Sequence, residues 1–332
     1  MTGERPAVFD LAPFSGTLLA CEPAAWRGYR STLDAITSGR VQIAATTAAR
    51  PSRTARQSTV GIISVNGYLT DHDNWLSDCL NWSTYDGIGT AADQFAADPD
   101  ISAVVITADS GGGDVMGCQE CAGRIAALAQ KKPVVGFVNS YACSAAYWLV
   151  SQTNRLLMMG SGMTGSVGVL LVHESFAGAN AQAGVEVTYI VSSAAPKKSE
   201  GNPDSPLDTD ARAYMLKQLN EYHSTFVAAV AKGRRTTPAK VEANYGQGRA
   251  MGSADALRVG AVCGTATTLL EVISRAAAGE GAPQRASASA QTDRNRAALA
   301  RLEAQVRADQ LASTSTGRRT IAEARAIIDA LE

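Results

Sequence analysis

The sequence predicts an α/β fold of repeated β-α units, on the evidence of three observations. Short apolar runs rich in Val and Ile recur between residues 59 and 172, and helical stretches separate them. Buried parallel strands joined by crossover helices give this alternation. The 332 residues and 45% hydrophobic content are enough for one large core. The fold class predicted is therefore α/β, with parallel strands at its centre.

The elements follow one another from Thr59 onward. The run VGIISVNG is interpreted as a buried strand that ends in an Asn-Gly turn. Further strands are predicted at 103–108, 133–139, 155–160, 167–172 and 185–191. Helices are predicted at 85–97, from the glycine turn to Gln130, and at 141–152, 208–232, 249–260 and 265–278.

Composition divides the chain into four parts. Residues 1–57 are an N-terminal extension that ends in a linker rich in Ala, Thr, Ser and Arg. Residues 58–278 hold the predicted core domain. Residues 279–291 (GEGAPQRASASAQ) have the composition of a flexible linker. Residues 292–332 are predicted to form a helical tail, too small for a core of its own, that can bind a scaffold or another partner.

Charge and composition exclude several functional classes. The formal net charge of −1 shows no basic excess, so a nucleic-acid partner is not expected. The N-terminal residues resemble neither a signal peptide nor a membrane anchor, and no segment reaches the ~18 apolar residues of a spanning helix. The six cysteines are scattered, which indicates a reducing compartment. We expect a cytoplasmic protein with no membrane partner, metal or cofactor.

A glycine-rich turn follows the strand at 103–108. Its sequence, Asp-Ser-Gly-Gly-Gly-Asp at 109–114, precedes a predicted helix. Glycines there allow backbone N–H groups to face an anion, either a bound phosphate or a developing oxyanion. The segment is not a P-loop, because no Gly-Lys-Ser/Thr follows. A simple tight turn between strand and helix gives the same pattern.

Ser144 also lies where a predicted strand ends. Small residues flank it, and a helix is predicted to begin near it. Sites in parallel sheets form at the carboxyl ends of strands, and a serine there can present its hydroxyl to a substrate. The alternative is a structural serine that caps the helix.

The lysine pair Lys197-Lys198 follows the predicted strand at 185–191. A lysine acts as a general base only when burial or neighbouring positive charge lowers its pKa from ~10.4 towards neutrality. A solvated lysine pair in a polar loop is the alternative.

Taken together, the elements resemble the S49 peptidases, the signal-peptide-peptidase and prohead-protease family of the Clp/crotonase fold. The resemblance spans about 58–275, and implies a Clp/crotonase-like spiral of β-α units with the helical tail appended. The matching elements, in order, are Ser110–Gly113, Ala142–Ala145, Thr164–Val169, Lys198–Pro203 and the set Gly248-Arg249, Ala256 and Gly260. Two positions depart from the family pattern. Gly111 stands in place of a proline, and Cys263 in place of an aspartate.

The resemblance implies a role for each matched residue. Ser144 is the nucleophile and Lys198 the general base, with Lys197 as the alternative base. Ser166 is expected to orient the lysine through its hydroxyl. The N–H groups of Gly112 or Gly113 are expected to form the oxyanion hole.

The resemblance to the phage branch, carried by the Ala-Cys-Ser-Ala and Lys-x-x-Gly-Asn-Pro segments, implies a serine endopeptidase that matures phage heads. Its substrates would be scaffold, portal or capsid proteins, and a homo-oligomer is expected. Three alternatives stay open. His173 could be the base of a Ser-His site, the chain could be a crotonase-type acyl-CoA enzyme, or it could be a non-catalytic assembly protein.

Overall fold

A mixed ten-stranded sheet organises the computed structural model, which describes residues 18–38 and 54–283. Its strands are β1 (Leu18–Cys21), β2 (Thr54–Gln57), β3 (Val60–Leu69), β4 (Ala103–Asp114), β5 (Val134–Cys143), β6 (Arg155–Met158), β7 (Met163–Gly165), β8 (Leu170–Leu171), β9 (Ala250–Gly252) and β10 (Gly264–Thr265). The helices are α1 (Pro23–Thr37), α2 (Trp75–Cys79), α3 (Tyr85–Ala97), α4 (Cys118–Lys131), α5 (Ala145–Val150), α6 (Ala177–Ala183), α7 (Thr209–Gly233), α8 (Pro238–Asn244), α9 (Ser253–Val259) and α10 (Leu269–Ala277).

The centre of the sheet is parallel. β3, β4, β5 and β6 pair in parallel, with β10 parallel to β6, so the predicted α/β class is confirmed. Alternate residues of β4 face opposite sides: Val104 and Ile106 pack in the cluster that includes α3, α4 and α5, whereas Val105 packs with α10. Burial on both faces explains why these strands are continuous apolar runs in the sequence.

Three central strands continue past the ends predicted from the sequence. β3 runs through the Asn-Gly pair to Leu69, β5 runs to Cys143, and β4 includes the whole glycine segment up to Asp114. The glycine segment is therefore strand rather than turn. It stays extended because β3 pairs with it in parallel on one side and β1 pairs with it antiparallel on the other, both contacts between residues far apart in sequence.

The predicted strand at 185–191 is wrong. These residues form no strand, and Ile190 is 94% exposed. A β-branched run becomes a strand only where another strand pairs with it, and none of the described strands does so here. The predicted strand at 167–172 is reduced to Leu170–Leu171, and short strands β9 and β10 precede the two C-terminal helices.

The chain divides into compact units of residues 1–283 and 284–332. The second unit, which contains the predicted tail and much of the predicted linker, lies outside the described residues. Both therefore stay predictions. Within the described residues no helix has the length and apolar character needed to cross a membrane.

Candidate active site

Ser144 lies at the junction between β5 and α5 in a strained backbone conformation. Its φ of 54° and ψ of −121° belong to a region that residues with a Cβ rarely adopt, at a cost of about 1–3 kcal/mol. The N–H of Ser144 donates to the carbonyl of Gly165 at 2.8 Å, which holds this geometry. Its side chain makes no capping hydrogen bond, so the helix-cap interpretation is not supported. A serine on a strained strand-to-helix turn is the arrangement that presents a nucleophile.

The pairing of β5 with β7 brings a second serine segment to this junction. Cys143 is the register partner of Gly165, and Ser166 follows at once, also with a positive φ of 51°. The hydroxyl of Ser144 donates to the carbonyl of Gly168 at 3.3 Å. The hydroxyl of Ser166 donates instead to the carbonyl of Gly248 at 3.1 Å. The segments that contain Ser144, Ser166 and Gly248 therefore meet at this junction.

Gly112 lies directly against the start of α5. It has a φ of +105°, and a Cβ on it would lie 2.1 Å from the Ala20 oxygen and 3.1 Å from the Ala145 nitrogen. The amide of Ala145, which the sequence reasoning missed, is the first N–H of α5 and has no acceptor within its own helix. The predicted donors are engaged within the chain. The Gly112 N–H donates to the Ser110 hydroxyl at 3.1 Å, and Gly113 is paired with Ala20.

Neither lysine of the pair forms a hydrogen bond with the nucleophile among the described residues. Lys198 is exposed on a 3₁₀ turn, Pro196–Ser199, and no hydrogen bond among the described residues joins it to Ser144. Lys197 forms an ion pair with Glu200 at 3.0 Å. The hydrogen bond to Glu200 raises the pKa of Lys197, whereas a general base needs a lowered one.

His173 has its contact in the lysine segment. Its Nε2 lies 3.2 Å from the carbonyl oxygen of Asn202, whose own side chain donates to the carbonyl of Ser199 at 2.8 Å. His173 therefore supports the turn that carries the lysines. No hydrogen bond between the described residues links it to Ser144.

Asp114, at the end of the glycine segment, is a partly buried carboxylate that the sequence reasoning did not single out. The Tyr68 hydroxyl donates to its Oδ1 at 2.5 Å, and the Tyr85 hydroxyl donates to its backbone carbonyl at 2.6 Å. Burial raises the pKa of Asp114 to about 6; the Tyr68 hydrogen bond opposes that rise, and nearby Asp71 adds to it. Because the folded protein holds the proton more tightly than the unfolded chain, stability should fall as the pH rises from about 4 to about 6.

The substitution Asp114→Asn tests how much stability the folded protein loses when this carboxylate ionises. An amide keeps an acceptor for Tyr68 but carries no charge, so the variant should gain up to about 3 kcal/mol over wild type at pH 8 and only about 0.5 kcal/mol at pH 4. Urea unfolding across this range measures the difference. The exposed Asp109→Asn is the control, with an expected change within about 0.5 kcal/mol throughout. A loss of stability in Asp114→Asn that is equal at every pH would contradict the interpretation.

The fold and this junction together define a class of protein: an α/β protein that holds a serine on a strand-to-helix turn beside backbone N–H groups. Residues 126–282 match the profile of peptidase family S49. The matched part of the chain is just under half of its length and includes Ser144, Ser166 and Lys198.

Named relatives and a solved structure show what the chain is similar to. It is 35% identical over 183 residues to the head-tail preconnector protein GP5 of Enterobacteria phage P21, and 31% identical over 172 residues to capsid assembly protease C of Escherichia phage lambda. These matches cover 55% and 52% of the chain but 36% and 39% of the relatives, so the chain spans well under half of either protein. An enoyl-CoA hydratase/carnitine racemase from Magnetospirillum magneticum overlaps 72% of the chain and 84% of its own, with 13% identity and a TM-score of 0.41.

Proposed function

We propose that the chain is a serine endopeptidase whose nucleophile is Ser144. The observation that carries this proposal is the strained Ser144 backbone beside Gly112 and the first amide of α5, inside the segment that matches the profile of peptidase family S49. Evolution retains such strain where a side chain must be presented. A structural serine at this junction would adopt a relaxed conformation, or glycine would replace it.

The proposed reaction begins when the Ser144 hydroxyl attacks the scissile carbonyl and gives its proton to neutral Lys198. Backbone N–H groups of Gly112 or Gly113, with that of Ala145, stabilise the oxyanion. Lys198 returns the proton to the leaving amine, and water then hydrolyses the acyl-enzyme. The proposed role of Ser166, to orient the lysine, requires its hydroxyl to turn from the carbonyl of Gly248.

We further propose that a homo-oligomer completes the site. The turn that carries Lys198 is exposed, so a single chain does not supply the burial that a neutral lysine needs. Large apolar side chains on the preceding segment are also exposed, an arrangement typical of interaction surfaces. They are Phe176, Val185, Val187, Tyr189 and Ile190. Packing of this segment against a second copy would bury it and bring the lysine turn into an enclosed site.

The proposed substrates are the scaffold, portal or capsid proteins of a phage head, cleaved in the host cytoplasm inside the immature capsid. The names of the two phage relatives support this proposal. Co-expression of the chain with the scaffold, portal and capsid proteins of a phage head tests the proposal. We expect new protein termini, identified by mass spectrometry, with wild type and none with Ser144→Ala. Identical head proteins in both cultures would favour a non-catalytic assembly role instead.

A further inference from the structure

The chain's own segment Leu18–Cys21, strand β1, lies between β4, which holds the glycine segment, and β8. On one side it pairs antiparallel with the glycine segment, where Ala20 is the register partner of Gly113. On the other side it pairs antiparallel with β8, which follows the Ser166 element. β1 thus fills a strand-wide gap between β4 and β8, with backbone partners on both sides.

The pairing of β1 with the glycine segment is closed at both ends by main-chain hydrogen bonds. The N–H of Val115 donates to the carbonyl of Leu18 at 3.2 Å, and the N–H of Glu22 donates to the carbonyl of Gly111 at 2.7 Å. An extended peptide that adds to an exposed sheet edge is held by the same main-chain bonds. Every backbone group that such a peptide would use along Gly111–Val115 is therefore occupied by the chain itself.

β1 also fills the space next to the nucleophile. The carbonyl oxygen of Ala20 and the amide nitrogen of Ala145 both lie within 3.1 Å of the point where a Cβ of Gly112 would stand. Ser144 itself is only 1% exposed in this state. An extended substrate cannot take the strand position beside Gly112 while the Ala20 peptide lies there, because two main chains cannot share one strand position.

Helix α1 anchors this strand from behind. Arg30 of α1 donates twice to the carboxylate of Glu174, at 2.8 and 3.2 Å. Tyr29 of α1 packs edge-on against Tyr68 and Trp82, with ring centroids 5.4 and 5.6 Å apart. This attachment keeps β1 at a high effective concentration beside the gap between β4 and β8. That gap, the groove, is therefore filled by β1 in preference to a free peptide.

We infer that Leu18–Cys21 occupies in cis the strand position that an extended protein substrate needs, so that this conformation is autoinhibited and β1 must leave before cleavage. The inference rests on the proposed peptidase function. The aromatic and ionic contacts of α1 then set how often the groove opens. Any condition that loosens α1 should raise activity, and any link that holds β1 in place should abolish it.

A reversible disulfide tests the inference. Leu18 and Leu171 are register partners, and the Leu18 carbonyl accepts from the Val115 N–H on the other side of β1, so Leu18 and Leu171 form a non-hydrogen-bonded pair. Such pairs have Cα atoms about 4.5 Å apart, within the range that a disulfide spans. The full-length double variant Leu18→Cys/Leu171→Cys is oxidised, the link is verified by peptide mass spectrometry, and cleavage of fluorescein-labelled casein is measured before and after reduction.

We expect the oxidised double variant to cleave at least about tenfold more slowly than its reduced form, because the tether prevents β1 from leaving. Wild type with and without reductant controls for the native cysteines. Arg30→Gln should raise the rate about fivefold by removing the Glu174 ion pair, whereas Arg27→Gln, on an exposed position of the same helix, should not.

Equal rates for the oxidised and reduced forms would overturn the inference and leave the peptidase proposal intact, because substrate would then bind without displacing β1. Absence of casein cleavage and of head-protein cleavage by wild type and by the reduced variant would overturn the peptidase proposal, and the inference with it.

Discussion

Replacement of Ser144 by alanine should lower peptide cleavage by at least about 1,000-fold, because the attacking oxygen is lost. Ser144→Gly should lose activity to the same extent but unfold at higher denaturant concentration. Glycine adopts the φ of 54° without a Cβ clash, and the net gain should be about 1 kcal/mol after its greater unfolded-state entropy is counted. Casein cleavage and urea unfolding of both variants measure the two effects.

Loss of activity together with a gain of stability in Ser144→Gly distinguishes a nucleophile from a structural serine. Ser102→Ala, at an exposed hydroxyl, is the matched control and should alter neither property by much. If Ser144→Ala retained activity within threefold of wild type, the nucleophile would have to lie elsewhere. If Ser144→Gly were clearly less stable than wild type, the backbone strain described at this turn would be wrong.

The second large effect is expected at the lysines. Lys198→Ala should lower cleavage by about 1,000-fold or more, since no other group would accept the proton of Ser144. Lys198→Arg should not restore activity, because a guanidinium stays protonated. Lys197→Ala should stay within about threefold of wild type, because its exposed ion pair with Glu200 contributes little.

The pH dependence of the same variants adds a second readout. A lysine that acts in its neutral form gives activity that rises with pH through the pKa of that lysine in the assembled site. Loss of cleavage in Lys197→Ala, with activity retained in Lys198→Ala, would reverse the assignment of the base. Activity in both single variants would exclude a lysine as the general base and favour His173 in that role.

Local sequence predicted the centre of the fold well. The runs around Ile63, Val104 and Val135 are buried on both faces of a parallel sheet. Each run is therefore apolar throughout, and this pattern indicates a buried strand. The glycine segment was predicted as a turn because its extended form depends on pairing with β1 and β3, whose partner Gly113 lies far along the chain from both. No pattern near either residue encodes that pairing.

The sequence predicted only those parts of the candidate site that local residue pattern indicates. Ser144 and Ser166 stand at strand ends, where position alone suggests function, and the structure brings their segments together. The Ala145 amide was missed because a backbone N–H is the same in every residue other than proline, so residue type does not reveal it. Asp114 was missed because its raised pKa comes from burial, which tertiary packing determines. In the proposed oligomer, Lys198 reaches Ser144 through contacts with a second copy, which local sequence does not indicate.

The identity of the nucleophile can be measured directly with a fluorophosphonate. A serine oxygen activated for acyl transfer displaces fluoride from phosphorus and leaves a stable adduct, which intact mass and peptide mapping locate. Protein that is cleaving casein should lose that activity in proportion to one adduct per chain, and the adduct should map to Ser144. Lys198→Ala should react far more slowly, and Ser144→Ala should not be labelled. An actively cleaving chain that carries the adduct on another residue, or that stays active and unlabelled, would contradict the central claim.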